Sequence, residues 1–578
     1  MLALAVGQLA IVTWASLRGY LFADDYYALP NAAESALDSA YLLRNGAGHL
    51  SPGTWLLWWL WAELFGYQHT AIVLTITVML AIYLGTLWAL VRAIAGHTWG
   101  AVGVFVVGAT STMLLPSTLW IANAVSAVPM NIAIAAGLCL HVLGWRRQRP
   151  ALLVAAGAVL FAGLMFWEKV AFLPVLAGLL TLAWPGEGGP RARVGVVLRL
   201  WPAWVAYFVA GGAYLLLRSR RDYSAGSFDP SFDGFTDYLG QSLVHTVSPQ
   251  LVGGPIRWQP VVPGQPLGLV DTPAAFVAYA AVVVVTVAVW SVWRQRSVAW
   301  VWLVLLAYLG LGYLLVAVGR LGVLGADVVA RDARYLSDVP VAVAAVLALV
   351  VATVRAADAS AVTRRTEVVA STLLTALVAV ASVMSTLAYA AIWSDSPTRP
   401  YLTTLLRDLA SAPTPTNAFD GTIPPAFLDV VFPPYNQLSR FLAPVDDRPQ
   451  FDQPSGPHFV VRDDGTLVPG VLAVTASTAQ PQCGTGTVVS SPAPVDGPDL
   501  VTVEVAYRSD TLGPATLSVG NASATRWLQA GEGRLIIGAP GPVSTVQLTM
   551  PAAATAQLCI DQVLVGRGVA ADMAGGAG

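Results

Sequence analysis

Long apolar runs recur along the first two thirds of the chain, and each is close to the length of a membrane-crossing helix. A helix needs about 20 mostly apolar residues to cross the hydrocarbon core of a bilayer. The runs predict about eleven spans, at about 1–20, 69–94, 98–116, 124–144, 150–167, 170–185, 196–217, 272–293, 298–318, 339–355 and 367–392. We interpret the first run as a span and not as a signal peptide, because no charged segment precedes it and no clear cleavage site follows it.

The pattern changes abruptly after Trp393. Residues 394–456 are rich in proline and polar side chains, which predicts an extracytoplasmic connector. From residue 457 the chain alternates between apolar and polar positions in short segments separated by turn residues, as in 501–507, 515–519 and 543–549. Alternation of this kind is typical of half-buried strands. We therefore expect a transmembrane domain over 1–393, a β-sandwich over 457–570 and a flexible tail over 571–578.

The composition excludes several classes of protein. Of the 578 residues, 56% are hydrophobic and only 11% are charged, whereas about a quarter are charged in soluble proteins. The net charge of -2 leaves no basic excess for nucleic acid. Three cysteines are too few for a disulfide scaffold or a cysteine-rich metal cluster. Cys483 and Cys559 lie near opposite ends of the predicted sandwich, where we expect a disulfide, and Cys139 lies within a predicted span.

Arginines in the short connections predict the orientation, because such connections carry more arginine and lysine on the cytoplasmic side. The connections on one side of the membrane contain most of these arginines, so we expect that side to be cytoplasmic. The arginines are Arg146, Arg147, Arg149, Arg191, Arg193, Arg294, Arg296, Arg355, Arg364 and Arg365. The loops 21–68, 218–271 and 319–338 and everything after Trp393 then lie outside. We therefore expect a multi-pass plasma-membrane protein with an extracytoplasmic C-terminal domain.

The first outer loop carries the strongest local signal. Asp24 and Asp25 follow the first span directly, where the neighbouring hydrocarbon disfavours a charged side chain that has no function. Asn31 and Glu34 have the spacing of a capping box, which predicts a helix that begins there and ends at Asn45-Gly46. The aspartates are then not needed as caps. We expect one to face a cavity and the other to orient backbone or a cation.

The rest of this loop predicts a second short helix along the membrane. It contains four tryptophans from Trp55 to Trp61, and indole rings prefer the membrane interface. His49 precedes that helix, and a single histidine of this kind is more often structural than catalytic.

Three further clusters of charge lie on the predicted outer side. Glu168 and Lys169 form either an ion pair that pins a turn or part of a substrate site. Arg218, Arg220 and Arg221 suit either a membrane anchor or a phosphate site. Arg331 and Arg334 would share a face if they were helical, and guanidinium groups suit phosphate. Acids, arginines and an apolar environment together suit a transferase with a lipid-phosphate donor.

These motifs resemble the GT-C superfamily of membrane glycosyltransferases, which includes actinobacterial cell-wall arabinofuranosyltransferases. The matching residues are Asp24-Asp25-Tyr26, the two short helices that follow, Glu168-Lys169 before Pro174, and Arg334-Tyr335 before a span. The order Glu168-Lys169 is the reverse of the usual Lys-Glu. The resemblance implies a polyprenyl-phosphate sugar donor and an aspartate base in the first loop. The sandwich resembles the carbohydrate-binding modules of some arabinofuranosyltransferases, which implies a cell-envelope glycan acceptor.

The sequence thus predicts a mainly α, GT-C-like polytopic membrane protein with a C-terminal jelly-roll-like β-sandwich, acting as an inverting glycosyltransferase. Asp24 is the expected base, with Asp25 as the alternate. Donor phosphate is assigned to Arg331, Arg334, Tyr335 and Arg220, and substrate binding to Tyr26, His49, Glu168 and Lys169. A divalent cation is compatible with this chemistry, although no dedicated ligand set is present. The alternatives are a transporter or lipid-glycan flippase with a docking domain, and a catalytically silent scaffold.

Overall fold

The computed structural model divides the chain into two compact units. The first contains Met1–Leu21 and Ser35–Ser396, and the second contains Phe22–Glu34 and Pro397–Gly578. The structure describes residues 2–46, 48–185, 190–221, 234–357, 361–428, 434–451, 453–454, 456–478, 480–495, 500–550, 555 and 557–574. The side chains of Arg364 and Arg365 and the last four residues of the expected tail lie outside this description.

The structure is mainly helical up to residue 411 and mainly β from residue 450. The α-helices are α1 Leu2–Arg18, α2 Asp25–Ala33, α3 Ser39–Leu42, α4 Pro52–Phe65, α5 His69–Ala95, α6 Trp99–Ala109, α7 Leu115–Leu119, α8 Ile121–Arg146, α9 Pro150–Leu164, α10 Phe172–Ala183, α11 Pro190–Arg199, α12 Trp201–Arg218, α13 Phe235–Gln241, α14 Ser248–Leu251, α15 Ala274–Arg294, α16 Val298–Val316, α17 Gly322–Leu324, α18 Ala326–Arg331, α19 Val339–Ala357, α20 Ala361–Trp393, α21 Thr398–Ser411, α22 Leu438–Phe441 and α23 Ala571–Ala574. Short 3-10 or π turns cover Thr112–Leu114, Glu168–Ala171, Ser242–Val247, Ala317–Leu321 and Ala333–Leu336. The strands are β1 Trp258–Pro260, β2 Gly268–Val270, β3 Asn417–Ala418, β4 Gln450–Phe451, β5 His458–Val461, β6 Leu467–Thr478, β7 Gln482–Thr485, β8 Thr487–Ser490, β9 Leu500–Ser509, β10 Gly513–Val519, β11 Ala522–Leu528, β12 Gly531–Pro540, β13 Val546–Thr549 and β14 Gln557–Ala570.

The first unit is a multi-pass membrane domain. Within the described residues, seven helical stretches are long and apolar enough to cross a membrane, or eight if the bent pair α11 and α12 is one span. The seven are His69–Ala95, Trp99–Leu119, Ile121–Arg146, Ala274–Arg294, Val298–Leu324, Val339–Ala356 and Ser371–Trp393. The expected first and fifth spans are shorter apolar helices, α1 and α9, and the expected sixth is the 12-residue helix α10.

Small residues allow the helices of this unit to approach one another closely. A Cβ added to Gly157 of α9 would lie 2.5 Å from the Cβ of Ala206 in α12, and one added to Gly163 would lie 2.5 Å from Ala133 in α8. Membrane helices associate largely through such close packing, because lipid is as apolar as the helices themselves. The turn between α9 and α10 is therefore held against α8, at the position where Glu168 and Lys169 lie.

The second unit contains a two-sheet β-sandwich. One sheet has the strand order β11-β10-β13-β8, and the larger sheet has the order β12-β9-β14-β6-β5-β3-β4, with β7 also paired to β14. Inward-facing apolar residues such as Val503, Leu517 and Ile560 form a core between them. A disulfide joins Cys483 to Cys559, which are opposite each other in β7 and β14, while Cys139 is free and buried in α8. The predicted combination of a mainly helical, polytopic membrane domain and a C-terminal β-sandwich is confirmed, whereas the expected eleven spans are reduced to seven or eight among the described residues.

The expected connector contributes to this second unit. Strand β3 pairs in parallel with β4 and β5, so residues 417–418 and 450–451 extend the larger sheet. Upstream of them, α21 buries Tyr401, Leu402 and Leu405 on one side. The sequence did not predict these strands, because a strand of two residues is too short to show alternation of apolar and polar positions.

Candidate active site

The segment that carries Asp24 and Asp25 differs from the expectation. The helix α2 begins at Asp25 and contains Asn31, whose side-chain amide donates to the hydroxyl of Tyr435 at 2.7 Å. Asn31 therefore does not cap a helix. The capping-box prediction is wrong because the helix begins six residues earlier, and the next helix, α3, is capped by Asp38.

The two aspartates have different surroundings. Asp25 is 0% exposed, and its carboxylate accepts a hydrogen bond from the Phe22 backbone amide at 2.8 Å. Asp24 is partly exposed at the N-cap position of α2, and its side chain makes no capping hydrogen bond there. Asp25 thus orients backbone, which leaves Asp24 as the more accessible carboxylate. Tyr26 is a buried core residue whose ring packs on Phe441, with 5.3 Å between ring centroids.

A carboxylate network in the first unit is built around Glu168. The turn Glu168–Ala171 follows α9, and the Glu168 carboxylate contacts His49 Nδ1 at 2.6 Å and accepts from Arg218 Nη1 at 2.8 Å. Burial raises the pKa of the Glu168 carboxyl group. The hydrogen bond with His49, the charge of His49 and the charge of Arg218 lower this pKa. Together they outweigh burial, so the pKa of Glu168 lies below its ordinary value. Glu168 is therefore a carboxylate at neutral pH.

A tight turn presents His49 to this network. Gly48 has φ of +90°, a conformation that suits glycine, and its amide donates to the Asn45 side chain at 2.7 Å. Arg218 also donates to the Gly48 carbonyl at 3.0 Å, so it binds both the turn and Glu168. The sequence assigned phosphate binding to Arg220, whereas Arg218 is the arginine of that cluster that reaches the site and Arg220 is exposed.

Lys169 belongs to a second network although it is adjacent to Glu168. Its Nζ donates to Asp338 Oδ1 at 2.8 Å and to the Tyr335 carbonyl at 2.7 Å. The other oxygen of Asp338 accepts from the Tyr308 hydroxyl at 2.5 Å. Glu168 and Lys169 therefore do not pair with each other, and Lys169 connects the turn after α9 to the stretch that precedes α19.

Arg334 is held by an acid of its own. It lies in the turn Ala333–Leu336, and its Nε donates to both oxygens of Asp332 at 2.9 Å. Its guanidinium carbon lies 4.8 Å from the ring centroid of Trp120, within range of a cation–π interaction. Burial lowers the pKa of Arg334, but the charge and hydrogen bonds of Asp332 outweigh burial and raise it. Arg334 therefore stays cationic.

Arg331 does not share a helical face with Arg334. It is the last residue of α18, and the extended backbone of Asp332 ends the helix between the two arginines. The expectation of one face is therefore wrong. Arg331 donates to Gln259 at 3.2 Å and lies 3.7 Å from Asp327. Its Nε is buried without a hydrogen-bond partner among the described residues.

A buried amide one helical turn from a residue that contacts this stretch also lacks partners. Gln250 is 2% exposed, and neither its amide nitrogen nor its amide oxygen has a hydrogen-bond partner among the described residues. Thr246, one helical turn earlier, donates to the carbonyl of Ala330 at 2.8 Å, and the carbonyl of Gly254 accepts from Thr112. Buried polar groups almost always bind protein, water or a ligand. Gln250 and Arg331 thus offer unfilled hydrogen bonds to a polar molecule.

Within the first unit, the turn that carries Glu168 and Lys169 lies against the Ala333–Asp338 stretch. Lys169 bridges the Glu168 network to the Ala333–Asp338 stretch, and Asp332 and Arg334 lie within that stretch. The described residues contain no group of three or more histidine, cysteine, aspartate or glutamate side chains placed to hold a metal ion. The arrangement can bind an anion through arginine and hold hydroxyl groups through Glu168, His49 and Gln250.

Comparison with solved structures gives a weak likeness to a membrane enzyme of known structure. No protein-family model matches the chain, and no curated protein matches it. The crystal structure of the Archaeoglobus fulgidus oligosaccharyltransferase aligns with a TM-score of 0.36 and 12% sequence identity, over 71% of this chain and 60% of that one. The chain thus spans about 60% of that protein's length, and a score of this size assigns no activity.

Proposed function

We propose that the protein is an inverting glycosyltransferase that moves a sugar, with arabinofuranose as the first choice, from a polyprenyl-phosphate donor to a cell-envelope glycan outside the membrane. The observation that supports this proposal is the cluster that joins Glu168, Lys169 and Arg334. Charges beside membrane spans are costly and usually serve a function. Here carboxylate, imidazole and guanidinium groups meet at the ends of apolar helices, as a charged and lipid-linked substrate requires.

In the proposed reaction the acceptor hydroxyl oxygen attacks the anomeric carbon, and the bond from that carbon to the phosphate oxygen breaks. A base takes the hydroxyl proton, and polyprenyl phosphate leaves with the bonding electrons. Asp24 is the proposed base because it follows the first apolar helix and is more accessible than Asp25. General-base catalysis contributes typically about 10² to 10⁴-fold.

Arg331 is the proposed primary phosphate ligand, with Arg334 and Tyr335 beside it. Its unfilled Nε can donate to a phosphate oxygen without breaking an internal ion pair, whereas Arg334 would have to share its guanidinium with Asp332. Positive charge at this position offsets the charge that grows on the leaving phosphate. His49 and Glu168 are proposed to hold sugar hydroxyl groups.

Turnover of a synthetic polyprenyl-phosphate arabinofuranose by the purified full-length chain tests the proposal. We expect Asp24→Asn to lower the transfer rate by about 10²-fold or more while donor binding survives. Arg331→Gln should instead weaken donor binding. The matched controls are Asp447→Asn, at an exposed aspartate of the second unit, and Arg257→Gln, at an exposed arginine paired with Asp271.

Two outcomes would contradict the proposal. Absence of transfer from any polyprenyl-phosphate sugar, together with movement of a lipid-linked glycan across vesicles, would favour the flippase alternative. Wild-type rates in Asp24→Asn, Asp25→Asn and the double variant would remove the catalytic assignment of both aspartates.

A further inference from the structure

A cavity in the first unit is lined by none of the residues of the charged networks described above. It has a volume of about 450 Å³, within the range of about 300 to 1,000 Å³ in which ligand pockets lie. Its walls come from the C-terminal half of α10, the N-terminal half of α16 and the start of α11. The lining residues are Leu179, Leu182, Ala183, Arg193, Val194, Trp300, Leu303, Val304 and Ala307. We call this cavity the α10/α16 groove.

Arg193 is the charged residue in an otherwise apolar lining. Its Nη1 donates to the carbonyl of Leu182 at 3.0 Å, which places the guanidinium at the rim of the groove. Trp300, on the opposite wall, is 61% exposed and presents a large apolar surface. The groove therefore combines an apolar channel with a positive charge at its edge.

The helix α11 extends this positive charge. It carries Arg191, Arg193 and Arg199 and contains no acidic residue, while Val194 and Leu198 are exposed. It meets α12 at a bend of 60°, and Trp204 of α12 donates to the Val197 carbonyl at 2.6 Å, which holds α11 in place. A short basic and apolar helix of this kind is typical of the lipid–water interface.

A further arginine precedes the helix that forms the opposite wall of the groove. Arg296 is exposed and precedes Trp300 by four residues. The sequence predicts that Arg191, Arg193, Arg294 and Arg296 all lie on the cytoplasmic side, where bilayers carry anionic lipids. The groove thus has one arginine in its lining, and Arg191 of α11 and Arg296 before α16 are predicted on the same side of the membrane.

We propose that the α10/α16 groove binds an anionic phospholipid, with one acyl chain against Leu303 and Trp300 and the phosphate against Arg193. Apolar walls alone would accept any lipid chain, whereas the arginines select a headgroup with net negative charge. Basic pockets between membrane helices bind anionic headgroups in this way. This site does not depend on the proposed sugar transfer, so the activity of the protein does not decide it.

Native mass spectrometry of the full-length chain in detergent tests the headgroup selectivity. Phosphatidylglycerol and phosphatidylcholine with identical acyl chains are titrated separately, and we expect phosphatidylglycerol to stay bound at lower concentration. Arg193→Gln, which keeps a donor for Leu182, should weaken phosphatidylglycerol binding about fivefold. Arg149→Gln removes an exposed arginine predicted on the same side of the membrane and should leave binding unchanged.

A second pair of variants tests the apolar part of the groove. Ala307 lines the groove and is itself exposed, so Ala307→Phe fills the channel without displacing buried side chains. It should lower retention of phosphatidylglycerol, whereas Leu306→Phe, at an exposed neighbouring position of α16 that does not line the groove, should not.

Three results would overturn the proposal. Equal retention of the two phospholipids would show that the groove does not select a headgroup. Equal effects of Arg193→Gln and Arg149→Gln would assign the selectivity to general surface charge. Displacement of phosphatidylglycerol by an equal concentration of polyprenyl phosphate would assign the groove to a prenyl chain.

Discussion

Residues adjacent in the sequence serve separate networks in this protein. Glu168 binds His49 and Arg218, while Lys169 binds Asp338, which is 169 residues away in the chain. The sequence identified Glu168 and Lys169 as a charged pair near the end of a span but could not identify their partners. The packing of the helices determines those partners, and short sequence motifs do not encode that packing. The position of Asp338 directly before an apolar helix is the signal that could have found it.

The unmet hydrogen bonds of Gln250 yield a prediction that separates a structural role from ligand binding. Gln250→Leu keeps a similar volume and removes an amide whose two polar atoms have no partner among the described residues. Stability should stay the same or rise, since an unsatisfied buried polar group costs about 1 to 3 kcal/mol. Donor binding should weaken if the unfilled hydrogen bonds of this amide are used by the donor, because leucine cannot form them.

Detergent-solubilised protein can be used to measure both effects of Gln250→Leu, by thermal unfolding and by titration with the donor. Thr272→Val, which removes an exposed hydroxyl that donates to the His245 carbonyl, is the control because it also deletes one polar group near α14. Loss of stability without a change in donor binding would make Gln250 a structural residue.

The buried pair of Lys169 and Asp338 predicts a large and non-additive effect on stability. Both side chains are mostly buried, at 12% and 2% exposure. Removing one partner leaves an uncompensated buried charge, which costs about 3 to 5 kcal/mol. Lys169→Met and Asp338→Leu should therefore each be strongly destabilising, and the double variant less so than either single variant.

Denaturant-induced unfolding of the four proteins in this cycle measures the coupling between Lys169 and Asp338. The control is Arg534→Gln, which breaks an exposed pair with Glu504 in the sandwich and should change the free energy of unfolding by no more than about 1 kcal/mol. Additive single effects would contradict a direct ion pair.

At the scale of elements, apolar runs and alternation identified most helices and strands. The expected strands at 501–507, 515–519 and 543–549 correspond to β9, β10 and β13. The predicted start of a helix was less accurate where it depended on a short motif. At Asn31 it was wrong because the spacing of a capping box also occurs inside helices. The number of spans was overestimated because α1, α9 and α10 are apolar but short, and the expected seventh span belongs to the bent pair α11 and α12.

The disulfide between β7 and β14 predicts a stability effect confined to the sandwich. Cys483 and Cys559 are separated by 76 residues, and a crosslink of that span adds about 4 kcal/mol on the chain-entropy model. Cys483→Ala/Cys559→Ala should lower the unfolding temperature of the sandwich. Cys139→Ala, which removes the free cysteine of α8, is the control.

Peptide mapping without reducing agent measures this bond directly. We expect Cys483 and Cys559 in one linked peptide pair and Cys139 open to alkylation after unfolding. Full alkylation of Cys483 and Cys559 in protein unfolded without reductant would show that packing alone holds the sandwich.

At the scale of the whole molecule, the chain order does not follow the two units. Phe22–Glu34 belongs to the second unit, although first-unit residues precede and follow it. Sequence patterns could not show this, because the hydrogen bonds that place Asn31 and Glu34 reach Tyr435 and Arg440, about 400 residues later. Asp24 and Asp25 therefore lie in a segment whose position depends on the folding of residues 397–578.

The side of the membrane on which the second unit lies can be tested with reporter fusions. Arginine-rich connections predict that everything after Trp393 is extracytoplasmic, and the disulfide of the sandwich is of a kind that persists in oxidising compartments. Alkaline phosphatase fused after residue 578 should therefore be active, whereas the same enzyme fused after Gln148, in a predicted cytoplasmic connection, should be inactive. A fluorescent protein that matures only in the cytoplasm should show the opposite pattern at both positions. Phosphatase activity at Gln148 and none at residue 578 would invert the topology, and it would then place Asp24 on the cytoplasmic side, where an extracytoplasmic glycan could not be its acceptor.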